Sequence, residues 1–110
     1  MVDVSLKDIV NEMNIDKRRR ILVFFKNYKE VDSLLDELIS LESSDIKVRK
    51  SIRQIEAFSD IYICISIKSN AYDGLDVNKF ILSSNLLRRG SDEEIKLAIE
   101  IGRNATMKSR

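Results

Sequence analysis

Four isoleucines, Ile61, Ile63, Ile65 and Ile67, alternate without a break against Tyr62, Cys64, Ser66 and Lys68. Successive side chains leave a β-strand on opposite sides, so this pattern builds one aliphatic face and one mixed face. The same residues wound into a helix would scatter their isoleucines around the axis. The chain therefore contains a sheet, and the rest of the sequence has to supply partners for this strand.

Two segments are candidates. Ile21-Leu22-Val23-Phe24-Phe25 is short, unbroken in apolarity and rich in β-formers, as a central strand covered on both faces should be. Residues 46–57 are ambiguous. Ile46 and Val48 alternate with Lys47 and Arg49, but Val48, Ile52 and Ile55 also fit a helical stripe. The adjacent isoleucine ladder favours a strand with a bulge near Lys50-Ser51, joined to the ladder by a hairpin turn over residues 57–60. The sheet then has about three strands.

Four helices are expected around it. Leu6, Ile9, Val10 and Met13 have helical spacing within residues 4–14, with Ser5 and Asp8 as a capping pair. Asn27 and Glu30 open a second helix whose apolar stripe is Val31, Leu34, Leu35, Leu38 and Leu41, and Ser43-Ser44-Asp45 ends it. Asp76 caps a third, running through Arg89 on a face of Val77, Phe80, Ile81, Ser84 and Leu87, with Gly90 stopping it in a left-handed conformation. Ser91 and Glu94 box the start of a fourth that carries Ile95, Ala98, Ile99 and Ala105.

The order is α-β-α-β-β-α-α, an α+β fold with helices packed on one face of a small sheet. Its β-α-β-β-α stretch resembles part of a ferredoxin-like split unit with one strand missing. A chain of 110 residues buries roughly 65% of its unfolded surface, enough for one core, so a single domain over residues 1–110 is expected. The longest apolar run, Ile21 to Phe25, falls far short of the ~18 residues that span a bilayer. No membrane partner is expected, and a reducing cytoplasm is the expected compartment.

The residue inventory narrows the chemistry. The chain has no histidine and one cysteine, Cys64. Ser-His and Cys-His nucleophiles, and most zinc sites, cannot be assembled from what remains. A nuclease-like acid followed by acid-x-Lys fails because Ser66 stands where the second carboxylate would hold the metal, between Asp60 and Lys68. Asp73-Gly74-Leu75-Asp76 lacks the downstream glutamate of a calcium loop and reads as a turn plus a helix cap. Arg88-Arg89-Gly90-Ser91 fits a basophilic phosphorylation pattern, but a helix stop and a helix cap already account for Gly90 and Ser91. The expectation is a protein that is not an enzyme, with no cofactor, no metal and no evident small-molecule substrate.

Charge is segregated beneath a net charge of only +1. Residues 17–29 hold six Lys and Arg and no acid, residues 30–45 six acids and no base, and residues 46–59 four bases and one acid. Two readings follow. In the first, the protein is an interaction or structural module that self-associates through its sheet as a homodimer, with Tyr62 and Cys64 on a partly apolar second face. In the alternative, Lys17, Arg18, Arg19, Arg20, Lys47, Arg49 and Arg53 form a surface for nucleic acid, whose phosphates supply most sequence-independent affinity. Stacking aromatics would support the second reading, but Tyr28, Phe58, Tyr62 and Tyr72 are not interleaved with the bases in sequence. The bases could equally be neutralised by the acidic helix that follows them.

Overall fold

The structure is a computed structural model and describes residues 19–68 and 76–107. The expected helix over residues 4–14, the bases Lys17 and Arg18, the turn at Asp73-Gly74, and Tyr72 lie outside the described residues.

The chain runs β1 (Arg19–Phe25), α1 (Tyr28–Ser40), β2 (Ile46–Arg49), a 3₁₀ turn (Lys50–Ile52), β3 (Gln54–Ala57), β4 (Asp60–Ser66), β5 (Lys79–Leu82), α2 (Ser84–Arg89) and α3 (Asp92–Met107). The fold is α+β, built on a mixed five-stranded sheet in the order β2-β3-β4-β1-β5. β1 runs parallel to β4 and β5, whereas β2, β3 and β4 form an antiparallel meander. The apolar run of β1 is the second strand from one edge, with a partner on each side, and alternate residues feed separate cores.

Leu22 and Phe24 join Ile63, Ile65, Ile67, Val77, Leu86, Ala98 and Ala105 beneath α2 and α3. Phe25 joins Val31, Leu35, Ile55 and Cys64 beneath α1. Each fully buried Leu, Ile or Phe contributes about 1.5–3 kcal/mol of transfer free energy, so both faces bear on stability.

The helix boundaries follow the sequence where local capping sets them. Asn27 sits in extended backbone and its Oδ1 accepts the N–H of Glu30 at 2.9 Å. Glu30 Oε2 then accepts the N–H of Lys26 at 3.3 Å and a bond from Asn85 Nδ2 at 3.1 Å, fastening α1 to the first turn of α2. At α3 the capping box is reciprocal. Ser91 Oγ accepts from Glu94 N, and Glu94 Oε1 accepts from Ser91 N. That bond from Ser91 is the main reason the Glu94 carboxyl lies below its ordinary range.

Four expectations are corrected. First, the sheet has five strands, not about three, and helices cover both faces, so a ferredoxin-like arrangement is matched only roughly. Second, residues 46–57 are two antiparallel strands, not one bulged strand. The chain reverses at Lys50–Ile52 because Arg53 takes a left-handed backbone (φ 51°, ψ 51°). Tertiary contacts hold it there. Its guanidinium lies 4.1 Å from the centre of the Tyr28 ring and its Nε bonds Asp32 Oδ1 at 3.2 Å.

Third, the expected helix over 76–89 begins only at Ser84, where Ser83 Oγ caps Leu86 N at 3.1 Å. Residues 79–82 are drawn into the sheet as β5. Asn78 clamps β1 through both its Oδ1, which accepts Arg20 N, and its own N–H, which donates to Arg20 O, each at 2.8 Å. Phe80 then meets Phe24 edge to face, 6.3 Å between centroids and 82° between planes. Fourth, Gly90 is extended (φ −72°, ψ 150°), not left-handed. Its need is space. A Cβ there would lie 2.8 Å from Leu86 Cδ1, against the last turn of α2.

Candidate nucleic-acid interface

The cross-strand register decides which bases share a face. Lys47 pairs with Glu56, Glu56 with Ile61, and Ile61 with Arg20. These four residues form one row across β2, β3, β4 and β1, and residues paired in register project to the same side. Ile61 packs toward the core beneath α2 and α3, which identifies the side. Three strand spacings separate Lys47 from Arg20, roughly 14 Å. Both are exposed, and neither has an ion-pair partner among the described residues. Arg49, two residues beyond Lys47, projects to the same face, and its Nε bonds Glu56 Oε2 at 2.9 Å.

On this face the principal helix packing is of α3 against β5 and α2 against β1. The half of the face over β2 and β3 keeps Lys47 and Arg49 in solvent. It is polar along both strands, with Gln54 and Glu56 completing it.

Arg19 and Arg53, the other nominated bases among the described residues, are placed elsewhere. Arg19 faces the α1 side and forks onto Asp60, Nε to Oδ1 at 3.1 Å and Nη2 to Oδ2 at 3.0 Å. Those hydrogen bonds hold the Asp60 carboxyl below the ordinary carboxylate range. A depressed pKa in the folded state contributes stability at pH values above the unfolded carboxyl's pKa, and that stability is lost as pH falls through the folded value. The unfolding midpoint of the native protein should therefore drop on acidification below about pH 4. Asp60→Asn should lower the midpoint at neutral pH and flatten that acid limb, as read by urea titrations from neutral into acid buffer.

Arg53 is spent on Asp32 and Tyr28, and Lys50 bonds Asp36 at 2.6 Å, so the acidic helix α1 neutralises the turn between β2 and β3. The structure thus brings together Arg20, Lys47 and Arg49, and separates Arg19 and Arg53 from them.

Tyr62 and Cys64 lie beneath α1, inside the chain's own second core. Cys64 is 2% exposed, and burial pushes its thiol up to about 12, so almost no thiolate forms at neutral pH.

One aromatic of this region, set aside in the sequence because it is not interleaved with the bases, is placed near them by the fold. Phe58 is 85% exposed and has φ 56°. It is the first residue of the two-residue turn between Ala57 and Asp60, the closing pair of β3 and β4. The preferred occupants of a left-handed position in such a turn are glycine, asparagine and aspartate. An aromatic between two alternating segments was the available signal. The turn adjoins the basic row. Glu56 of that row lies two residues before Phe58, and Ser59 O accepts the N–H of Arg19 at 3.2 Å.

Among the described residues no group of three or more His, Cys, Asp or Glu side chains is placed to hold a metal ion. No helix among them is long and apolar enough to cross a membrane. Comparisons of the chain with protein-family models, with curated proteins and with solved structures found no match.

Proposed function

We propose that this protein is a non-enzymatic binding module, working in the cytoplasm, that takes the phosphate backbone of nucleic acid on the exposed cations of one sheet face. One observation carries the reading: Arg20 and Lys47 stand exposed in a single cross-strand row, on one face, with Arg49 beside them. Cations in excess over the single acid of that row, Glu56, favour a polyanion. Arginine adds forked donors suited to phosphate oxygens. The strands hold the bases at fixed spacing, so little backbone ordering is needed on binding.

This reading takes the place of self-association through the sheet face of Tyr62 and Cys64, because α1 already covers those residues.

The test is a fluorescence anisotropy titration of a labelled oligonucleotide at several salt concentrations. Contacts from the two cations without an ion-pair partner, Arg20 and Lys47, on a single strand correspond to a slope of about −1.4 in log K against log salt. Neutralising Arg20 or Lys47 singly should reduce the magnitude of that slope by about 0.7. The double reversal Arg20→Glu with Lys47→Glu should remove binding while leaving the circular dichroism spectrum unchanged, with only a small fall in Tm from the like charge placed opposite Glu56. Lys29→Glu, a single charge reversal at an exposed site on α1 at the opposite face, is the control to compare with Arg20→Glu or Lys47→Glu alone, and should keep most of the affinity. Absence of binding at low salt, or an equal loss in the Lys29 variant, defeats the reading.

A further inference from the structure

We infer that the nucleic acid is held single-stranded, with one base stacked on the ring of Phe58; this rests on the backbone-binding reading above. The ring is displayed, not packed. At 85% exposure it is far more open than Phe24, Phe25, Tyr28, Tyr62 or Phe80, each of which is buried or half-buried against a core.

The display is also made against local preference. A bulky side chain at φ 56° in a two-residue turn is strained, and glycine would relax it. Strain retained at an exposed position with no packing return is a pointer to function.

The position supplies the ligand class. Phe58 follows Glu56 by two residues, so its backbone lies within roughly 7 Å of the row that carries Lys47 and Arg20. An exposed aromatic beside a short track of cations is the minimal platform for a single strand. The cations follow phosphates and the ring takes a base face, whatever the base. In a duplex those faces are stacked on one another and are closed to a protruding ring unless a base step is forced open. DNA and RNA single strands offer the same chemistry, so both belong in the test.

The chain contains no tryptophan, which makes Phe58→Trp a clean reporter. We expect the indole fluorescence of this variant to be quenched on adding oligothymidylate or oligouridylate at low salt. An abasic oligonucleotide of the same length should bind with little quenching. Single strands should bind more tightly than a duplex of equal length.

Phe58→Ala should weaken single-strand binding roughly tenfold, within the range for loss of one stacked base. Phe58→Gly should weaken it similarly while raising Tm, because the turn is relieved as the platform is lost. Binding that persists without quenching, or that is indifferent to Phe58→Ala, overturns the stacking inference and leaves backbone binding standing. Tighter binding to duplex also overturns it. If neither the native protein nor the Phe58→Trp variant binds any oligonucleotide, the backbone reading has failed, and the stacking inference falls with it.

Discussion

Phe24→Ala is expected to be the most damaging single truncation, costing about 3–5 kcal/mol. Phe24 is fully buried, on β1 between β4 and β5. Its ring is the edge-to-face partner of Phe80 and belongs to the core that α2 and α3 close over. Removing it opens a cavity that a strand hydrogen-bonded on both sides cannot collapse into. Small domains have roughly 5–15 kcal/mol in total, so the variant should be substantially unfolded on mild heating. In urea the midpoint should fall while the m-value stays near that of the native protein, since the surface exposed on unfolding is unchanged. A loss below about 1 kcal/mol would show that the core can close around the gap, contrary to the usual cost of deleting a buried aromatic.

The second large effect is expected at Gly102. α3 crosses β5 at this residue, and a Cβ placed on it would lie only 2.7 Å from Phe80 Cδ1, with the ring's Cγ and Cδ2 nearer still. Glycine in mid-helix ordinarily costs about 1 kcal/mol relative to alanine, so propensity alone says Gly102→Ala stabilises. The close approach says the reverse. Overpacking of this kind costs about 1–3 kcal/mol, and Gly102→Val, with two more methyls, should lie at the upper end or beyond.

A double-mutant cycle separates the causes. If the clash with the ring is responsible, Gly102→Val combined with Phe80→Ala should cost less than the sum of the two single changes, by about 0.5–3 kcal/mol. Additive losses would mean that α3 is destabilised for some reason other than this contact. The contact also bears on the proposed interface. It seats α3 over β5, at the opposite edge of the sheet from β2 and β3.

How far the sequence could be read depends on where the determining interaction lies. β1, β4, α1 and α3 were legible because each carries its instructions locally. The isoleucine alternation, the unbroken run Ile21–Phe25, and the side-chain caps at Asn27 and Ser91 all act within a few residues. β5 was not legible. Val77, Phe80, Ile81 and Leu87 have helical spacing, and only tertiary contacts with β1 draw Lys79–Leu82 into the sheet, among them the clamp of Asn78 on Arg20, 58 residues away in sequence. The division of residues 46–57 into two strands likewise depends on Asp32 and Tyr28 of α1 gripping Arg53.

The candidate site divides in the same way. Lys47 and Arg49 on one face follows from strand alternation alone, and so was available in advance. That Arg20 joins them, while Arg19 and Arg53 are withdrawn into ion pairs, is a property of register and packing. Phe58 in the turn that adjoins that row is another. Residue order therefore dictates the elements whose periodicity and caps are local, and the segregation of charge. Which cations remain free, and which aromatic is displayed, is set only when the chain is folded, because a side chain's partners are neighbours far away along the chain.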